Sequence, residues 1–403
     1  MAKGRSKFQI PTSKSQVKAI VNGTVRTPLE TIEDGVVVTD GAIIQTVGAR
    51  DSTNIPRGAE IIDAQGKAII PGLIDLHTYG CLGVSITAPE HVAEELPAFA
   101  QNVARFGVTS FLISPTISDR AFIAHILAAL AETIPHTRGG ATPLGIHLEG
   151  PWLNPQQRGA FPLDVLHAPT IAEARECVAA ARGYLRVVTL APDYPQSLET
   201  ARYLRDNGVR LSLGHSSASY EVAHAALASG AFALVTHVYN AMSGLHHRKP
   251  GVLGAVLSSD EPMGMLICDG IHAHPAAVKI LLRALGTARV ILVTDAIPGG
   301  GMTEGTFTML GQTARIVDGV ARLPDGTIAG SILTMNRAMT NAREFGALSL
   351  NDALKLATVN PARALGLSKK GMLAVGADAD VVVMDDAGNV ALTMVAGERV
   401  GQF

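Results

Sequence analysis

Five apolar runs in this sequence end on a side chain that can bind a metal ion or carry a proton. His77 follows GLIDL, and His147 and Glu149 close PLGIHLE. His215 follows RLSLG, His237 follows ALVT, and Asp295 follows VILVT. One histidine in such a place is more often a satisfied structural residue than a ligand. Five runs delivering His, Glu or Asp at the same end are harder to assign to packing. Imidazole and carboxylate are the usual ligands of Zn2+ and related ions. A catalytic ion takes about three protein ligands and keeps one position open for water. Glu149, His215 and His237 supply that number. A separate carboxylate must then accept the water's proton and hand it to a leaving group, and Asp295 is the candidate. The bland alternative for Asp295 is a helix cap or a supporting contact.

Such side chains need a frame that brings distant parts of the chain together. Eight runs read as strands: GLIDLH, VTSFLIS, PLGIHLE, LRVVTLA, RLSLGH, ALVTH, GMLICD and VILVTD. Between most of them lie segments of helical period, among them PEHVAEELPAFAQNVARF, AEARECVAAARGY, SLETARYLRDN and PAAVKILLRALG. Eight strand–helix units predict an α/β fold, a parallel (β/α)8 barrel with its chemistry at the C-terminal strand ends. The two termini have a different style. VKAIVNGTV, GVVVTDGAIIQTVG and, near the end, GADADVVVMDDAGNVALTMVAGERV are short strands bounded by Gly, Asn and Asp. They predict one small β domain built from residues 1–70 and 370–403, with the barrel over 71–369.

Composition narrows the function classes. Of 403 residues, 47% are hydrophobic and 17% charged, enough for a large core and too apolar for disorder. A net charge of −2 and an aromatic share of 4% give no case for nucleic-acid binding. No apolar run approaches the length of a membrane span. Cys81, Cys177 and Cys268 are sparse and unpatterned, which reads as reduced thiols in the cytoplasm. The stretch MAKGRSKFQIPTSKSQ is basic, lacks a secretory apolar segment, and is expected to be a frayed tail.

Three further stretches carry less specific signals. LGHSSASYE combines His215 with a serine-capped helix start at Ser219. PGGGMTEG reads as a flexible loop and matches no phosphate-binding or dinucleotide fingerprint. THVYNAMSGLHHRKPG spans residues 236–251, and its Arg248 has the fork geometry suited to phosphate or carboxylate. His246, His247 and Lys249 flank it, so a solvated basic loop is the alternative. His272 or His274 of CDGIHAHP could join Arg248 around an anion.

Taken in order, PGLIDLHTYG, HLEGPWLNP, LGHSSAS, THVYNAMSGLHHRKPG, CDGIHAHP, VTDA and GSILTM resemble the N-acetylglucosamine-6-phosphate deacetylases of the amidohydrolase superfamily. The resemblance covers nearly the whole chain. It implies a (β/α)8 barrel with a small β-sandwich from both termini. It implies hydrolysis of an amino-sugar 6-phosphate acetamide to acetate and the free amine. By motif, Glu149, His215 and His237 become ligands of the main ion, and Asp295 the general base and then acid. Asn240, Ala241, Arg248 and His272 become phosphate-side contacts. The resemblance also implies a homodimer in which the loop arginine reaches the neighbouring subunit's site. The ion would be Zn2+ first, with Fe2+, Mn2+ and Co2+ also fitting the ligands.

Two positions depart from that pattern. Two-metal members carry His-x-His where this chain has His77-x-Tyr79. Tyrosine is a poor ligand at neutral pH, so one tight ion is expected. His77 then becomes a substrate or water contact, or a vestige of a second site. After HLEGPWLNP the family carries a histidine where this chain has Phe161. Phenylalanine donates no hydrogen bond, which keeps a second substrate in view. N-acetylgalactosamine 6-phosphate and non-sugar N-acyl compounds are the alternatives, with a catalytically silent binding homologue behind them.

Overall fold

The computed structural model describes residues 17–400, apart from 118, 310, 311 and 327. The basic tail expected to fray, residues 1–16, lies outside the described residues. Strands and helices are numbered along the chain.

The N-terminal runs form β1 (Val17–Arg26), β2 (Thr31–Asp40), β3 (Ile43–Ala49), β4 (Glu60–Asp63) and β5 (Ala68–Pro71). Next come β6 (Leu73–Thr78) and a short hairpin of β7 (Gly80–Cys81) and β8 (Val84–Ser85). The barrel continues through β9 (Val108–Ile113), β10 (Thr142–Glu149), β11 (Leu185–Leu190), β12 (Arg210–Leu213), β13 (Phe232–Val235), β14 (Met263–Ile267) and β15 (Val290–Val293). All eight runs expected to be barrel strands are strands. They pair in parallel in the order β15-β14-β13-β12-β11-β10-β9-β6. Every residue of β6, β9 and β14 is buried, as a parallel strand covered on both faces requires.

Helices α1 (Val92–Ala104), α2 (Phe122–Thr133), α3 (Ile171–Ala180), α4 (Ser197–Asp206), α5 (Tyr220–Ala228), α6 (Gly251–Ser258) and α7 (Pro275–Leu285) fill the connections. Ser219 caps α5 by accepting from the Val222 amide, the start its sequence predicts. Helices α8 (Met335–Gly346), α9 (Leu350–Ala357) and α10 (Val359–Leu365) complete the ring.

Two features differ from the sequence reading, which makes PGGGMTEG a flexible loop and places no sheet behind it. The glycine-rich stretch after Asp295 is tied down: Gly300 N donates to Ile297 O at 2.7 Å, and Gly301 N to Ile332 O at 3.0 Å. It leads into a three-stranded antiparallel sheet of β16 (Gly305–Met309), β17 (Gln312–Val317) and β18 (Val320–Arg322).

The C-terminal strands are β19 (Val381–Met384), β20 (Val390–Val395) and β21 (Glu398–Arg399). They join the N-terminal ones in a separate sheet, where β5 pairs antiparallel with β19. The first barrel strand starts two residues after β5 ends, so this sheet anchors the entry to the barrel.

Closure of the barrel uses side chains as well as backbone. Asp75 on β6 accepts from Thr294 Oγ1 at 2.5 Å and from Thr294 N at 3.3 Å. Asp295 N donates to His77 O at 2.8 Å across the same seam. These bonds bring the two residues that end the first and last barrel strands side by side.

Candidate active site and metal centre

The C-terminal strand ends deliver their polar residues into one cavity of about 310 Å3. Tyr79, Glu149, His215, His237, His272 and Asp295 line it, with Asn240 and Ala241 at its side. A larger cavity, about 480 Å3, lies against the other side of His272. The chemistry belongs to the smaller one, because there Glu149, His215, His237 and Asp295, the residues at the strand ends, converge.

Local backbone geometry aims these side chains. His215, His237 and Asp295 each have a left-handed φ, at 48°, 26° and 47°. Non-glycine residues seldom adopt that region, and clusters of them mark functional sites. Gly214 lets the turn before His215 close, since a Cβ there would lie 2.8 Å from Thr189 Cγ2.

Three donor atoms nearly touch. His237 Nε2 is 2.9 Å and His215 Nε2 3.1 Å from Glu149 Oε1, and the two ring nitrogens are 3.1 Å apart. His215 Nδ1 faces Gln157 O at 2.6 Å. A ring that donates Nδ1–H to a carbonyl turns its Nε2 lone pair inward, the arrangement typical of a metal-ligating histidine. His237 Nδ1 is buried with no hydrogen-bond partner among the described residues. Two imidazole nitrogens and one carboxylate oxygen converging on a point fit a divalent cation. Without an ion, Glu149 is still held as a carboxylate. Burial alone would raise its pKa, but the imidazoles of His77 and His215 bring it well below the ordinary value.

The other side of the centre belongs to His77, Tyr79 and Asp295. His77 is fully buried, with Nδ1 2.9 Å from Ser114 Oγ. Its Nε2 is 3.2 Å from Asp295 Oδ1 and 3.5 Å from Glu149 Oε2. The angles are poor for hydrogen bonding, so Nε2 is a close ionic neighbour without a formal bond. Burial would lower the His77 pKa, but the adjacent carboxylates of Glu149 and Asp295 raise it to about 9. Asp295 is pushed up by burial, against the pull of His77. Tyr79 donates its phenol to Glu149 Oε2. Burial, and then the Glu149 charge, push that phenol well above its ordinary pKa, so it stays protonated. His77, Glu149 and His237 also form a group with ligand atoms within 4.8 Å of one another.

Other sequence candidates fall in different places. His147 bonds Leu76 O and Thr189 Oγ1, both at 2.8 Å, and burial takes its pKa well below the ordinary value. It is a neutral structural histidine between strands. His272 lies on the cavity wall, its Nδ1 2.6 Å from Asp269 Oδ2. His274 caps α7 by accepting from the Ala276 amide, so it does not share the cavity with His272. Arg248 is exposed, with Nη1 against His247 Nε2 at 2.9 Å, and it does not line the cavity. No Lys or Arg does among the described residues. Phe161 sits inside, its ring edge-on to His215 at 5.6 Å.

Sequence reasoning missed the residues that hold the loops. Asp193 accepts from Asn154 Nδ2, Ser216 Oγ and Ser217 N at 2.6, 2.5 and 2.9 Å. It thereby ties the turn after His215 to the loop after Glu149. Asp269 accepts from the Ile271 and His272 amides, both at 2.8 Å, and fixes the His272 ring. Both aspartates follow barrel strands, the one signal that could have flagged them.

A (β/α)8 barrel whose strand ends gather two imidazoles, a glutamate and a facing aspartate defines a metal-dependent hydrolase. Residues 68–400 match the Amidohydrolase family, and the chain belongs to that family and, within it, to the N-acetylglucosamine-6-phosphate deacetylases. It is 34% identical over 372 residues to the N-acetylglucosamine-6-phosphate deacetylase of Bacillus subtilis (strain 168), covering 91% of this chain and 93% of that one. It is 35% identical over 344 residues to the N-acetylgalactosamine-6-phosphate deacetylase of Escherichia coli O157:H7, covering 85% and 90%. The crystal structure of the N-acetyl-D-glucosamine-6-phosphate deacetylase from Mycobacterium smegmatis aligns with a TM-score of 0.87 at 30% identity, over 95% of this chain and all of that one. No helix of the described residues is long and apolar enough to cross a membrane.

Proposed function

We propose that this enzyme hydrolyses the acetamide of N-acetylglucosamine 6-phosphate to glucosamine 6-phosphate and acetate. Glu149, His215 and His237 hold one divalent ion, and Asp295 carries the proton. The observation that supports this most directly is the approach of three donor atoms to within 3.1 Å of one another, opposite a half-buried aspartate. Zn2+ suits two imidazoles and a carboxylate best, with Fe2+, Mn2+ and Co2+ also compatible.

When bound, the ion polarises the amide carbonyl and brings the pKa of a water towards neutrality. Asp295 takes the proton of the attacking water, then delivers it to the amide nitrogen as the C–N bond breaks. His77, 3.2 Å away, opposes the effect of burial on the Asp295 carboxylate, favouring its charged form for the first of these tasks, and orients it. Ile117, Phe161, Ile267 and Ile297 give the cavity apolar walls, a low-dielectric surrounding that strengthens the electrostatics beside it.

On the phosphate side we assign Asn240, Ala241 and His272 from this subunit. Arg248 stands outside its own cavity on an exposed loop, which fits a role across the interface of a homodimer. The division into a terminal β domain, 1–70 with 370–403, and a barrel, 71–369, is part of the same reading, as is a cytoplasmic location.

The test is amine release from N-acetylglucosamine 6-phosphate by purified enzyme of known metal content, beside unphosphorylated N-acetylglucosamine. Turnover of the phosphate alone is the expected result. No turnover by metal-replete enzyme would overturn the substrate. Phe161 in the cavity favours N-acetylgalactosamine 6-phosphate as the second reading, and the same assay on that sugar decides between them.

A further inference from the structure

We propose that Tyr79 limits this centre to one ion by occupying the Glu149 oxygen that a second ion would need. The inference rests on the reading of Glu149, His215 and His237 as ligands. The two oxygens of Glu149 have different neighbours. Oε1 faces His215 and His237, whereas Oε2 accepts the Tyr79 phenol. On the Oε2 side a second set of donors is already assembled. His77 Nε2 is 3.5 Å from Oε2 and 3.2 Å from Asp295 Oδ1. The Nδ1 contact with Ser114 sets the ring, and Nε2 is buried without a hydrogen-bond partner among the described residues. An imidazole and an aspartate, together with the glutamate, would be donors enough to hold a second ion of a two-metal site.

Tyr79 removes two requirements of that arrangement at once. Its hydroxyl takes up the Oε2 lone pair that would bridge, and its phenol replaces a nitrogen ligand with a hydrogen-bond donor. The same bond turns Oε1 towards the His215 and His237 nitrogens, so Tyr79 positions the main ligand as well. Relaxation of the loop cannot easily move it. Tyr79 N and Gly80 N both donate to Ala296 O at 2.7 Å. A Cβ on Gly80 would lie 2.4 Å from Pro298 N, so the chain is packed tightly against the segment after Asp295.

The experiment reconstitutes metal-free full-length protein, wild type, Tyr79→Phe and Tyr79→His, with excess Mn2+. Ions per subunit are counted by elemental analysis, exchange coupling is read by EPR, and folding is followed by thermal melting. Wild type is expected to hold one ion. Tyr79→Phe should also hold one, bound about 10- to 100-fold more weakly, because a hydrogen-bonded ligand has lost its support. Tyr79→His should hold two, with a coupled Mn2+ signal. Two ions in wild type, or one in folded Tyr79→His, would overturn the inference while leaving the three-ligand reading intact. Should Tyr79→His fail to fold, unchanged Mn2+ affinity in Tyr79→Phe overturns it. No ion in wild type would overturn the ligand reading itself, and this inference with it.

Discussion

The Nε2 atoms of His215 and His237 stand 3.1 Å apart, although the two residues end neighbouring strands and belong to different loops. Two imidazole nitrogens at that separation must share a proton or a cation. Glu149 Oε1 lies within 3.1 Å of both, which favours a cation. His237→Ala should therefore lose bound metal, and activity should fall by more than about 100-fold, since even supporting partners of ligands are worth about 10–100-fold. Elemental analysis of the purified variant checks this. Full metal content would refute the ligand set.

Asp295→Asn separates proton transfer from metal binding. The amide keeps the shape and removes the base. Metal content should stay at the wild-type level while kcat drops by about 100- to 10,000-fold, the usual range for a general acid–base residue. Steady-state kinetics with parallel metal analysis give the answer. Unchanged kcat would mean that another group carries the proton.

The barrel was legible because its strands are short apolar runs alternating with helical segments, and five of the eight deliver a site side chain at the same end. The converging set Glu149, His215, His237 and Asp295 followed from the same strand ends. What periodicity could not show is direction. His147 sits two residues before Glu149, and successive strand residues two apart face the same way, yet it is spent on Leu76 O and Thr189 Oγ1. Arg248 looked like a site residue by its neighbours in sequence, but its loop leaves it exposed in this subunit. Asp193 and Asp269 act through backbone amides of loops whose conformation no local pattern specifies. The three-stranded sheet over 305–322 was hidden for a related reason: its glycine-rich approach reads as loop, and the strands behind it are short.

Phe161 tests substrate choice. Its ring packs edge-on to His215, where it can exclude water but can donate nothing to a sugar oxygen. Phe161→His should raise kcat/KM for N-acetylglucosamine 6-phosphate by about 2- to 10-fold, the value of one neutral hydrogen bond. A competition assay against N-acetylgalactosamine 6-phosphate measures the shift. Equal change for both sugars would assign Phe161 to packing alone.

Arg248→Ala should separate phosphate recognition from chemistry. A charge-assisted hydrogen bond is worth about 1.5–3 kcal/mol, so kcat/KM for the phosphorylated sugar should fall about 10- to 100-fold. The metal content of the variant should stay at the wild-type level. Dilution of the wild-type enzyme below its association range should reproduce the loss if the arginine arrives from a second copy. A loss confined to the variant would place Arg248 in its own subunit's site.

Lys370 gives a pH-dependent test of the terminal sheet. Its ammonium is half-buried, 2.7 Å from Asp380 and 3.1 Å from Asp378. Asp380 also accepts from the Ala396 amide at 2.9 Å, so the group ties the segment before β19 to the turn after β20. Burial alone would lower the lysine pKa, but the Asp380 and Asp378 charges raise it above its ordinary value of 10.5. The folded state thus holds this proton more tightly than the unfolded chain does. That stability is fully present below the unfolded value and is lost as pH rises through the folded one. Lys370→Met keeps the stem but leaves Asp380 unpaired, and should cost about 3–5 kcal/mol at neutral pH. Above the ordinary lysine range the wild type loses its own advantage, so the difference between the two proteins should shrink. Urea unfolding at neutral pH and again above the lysine range reads both values. A difference that stays constant with pH would show that the pair contributes through packing and not through its charge.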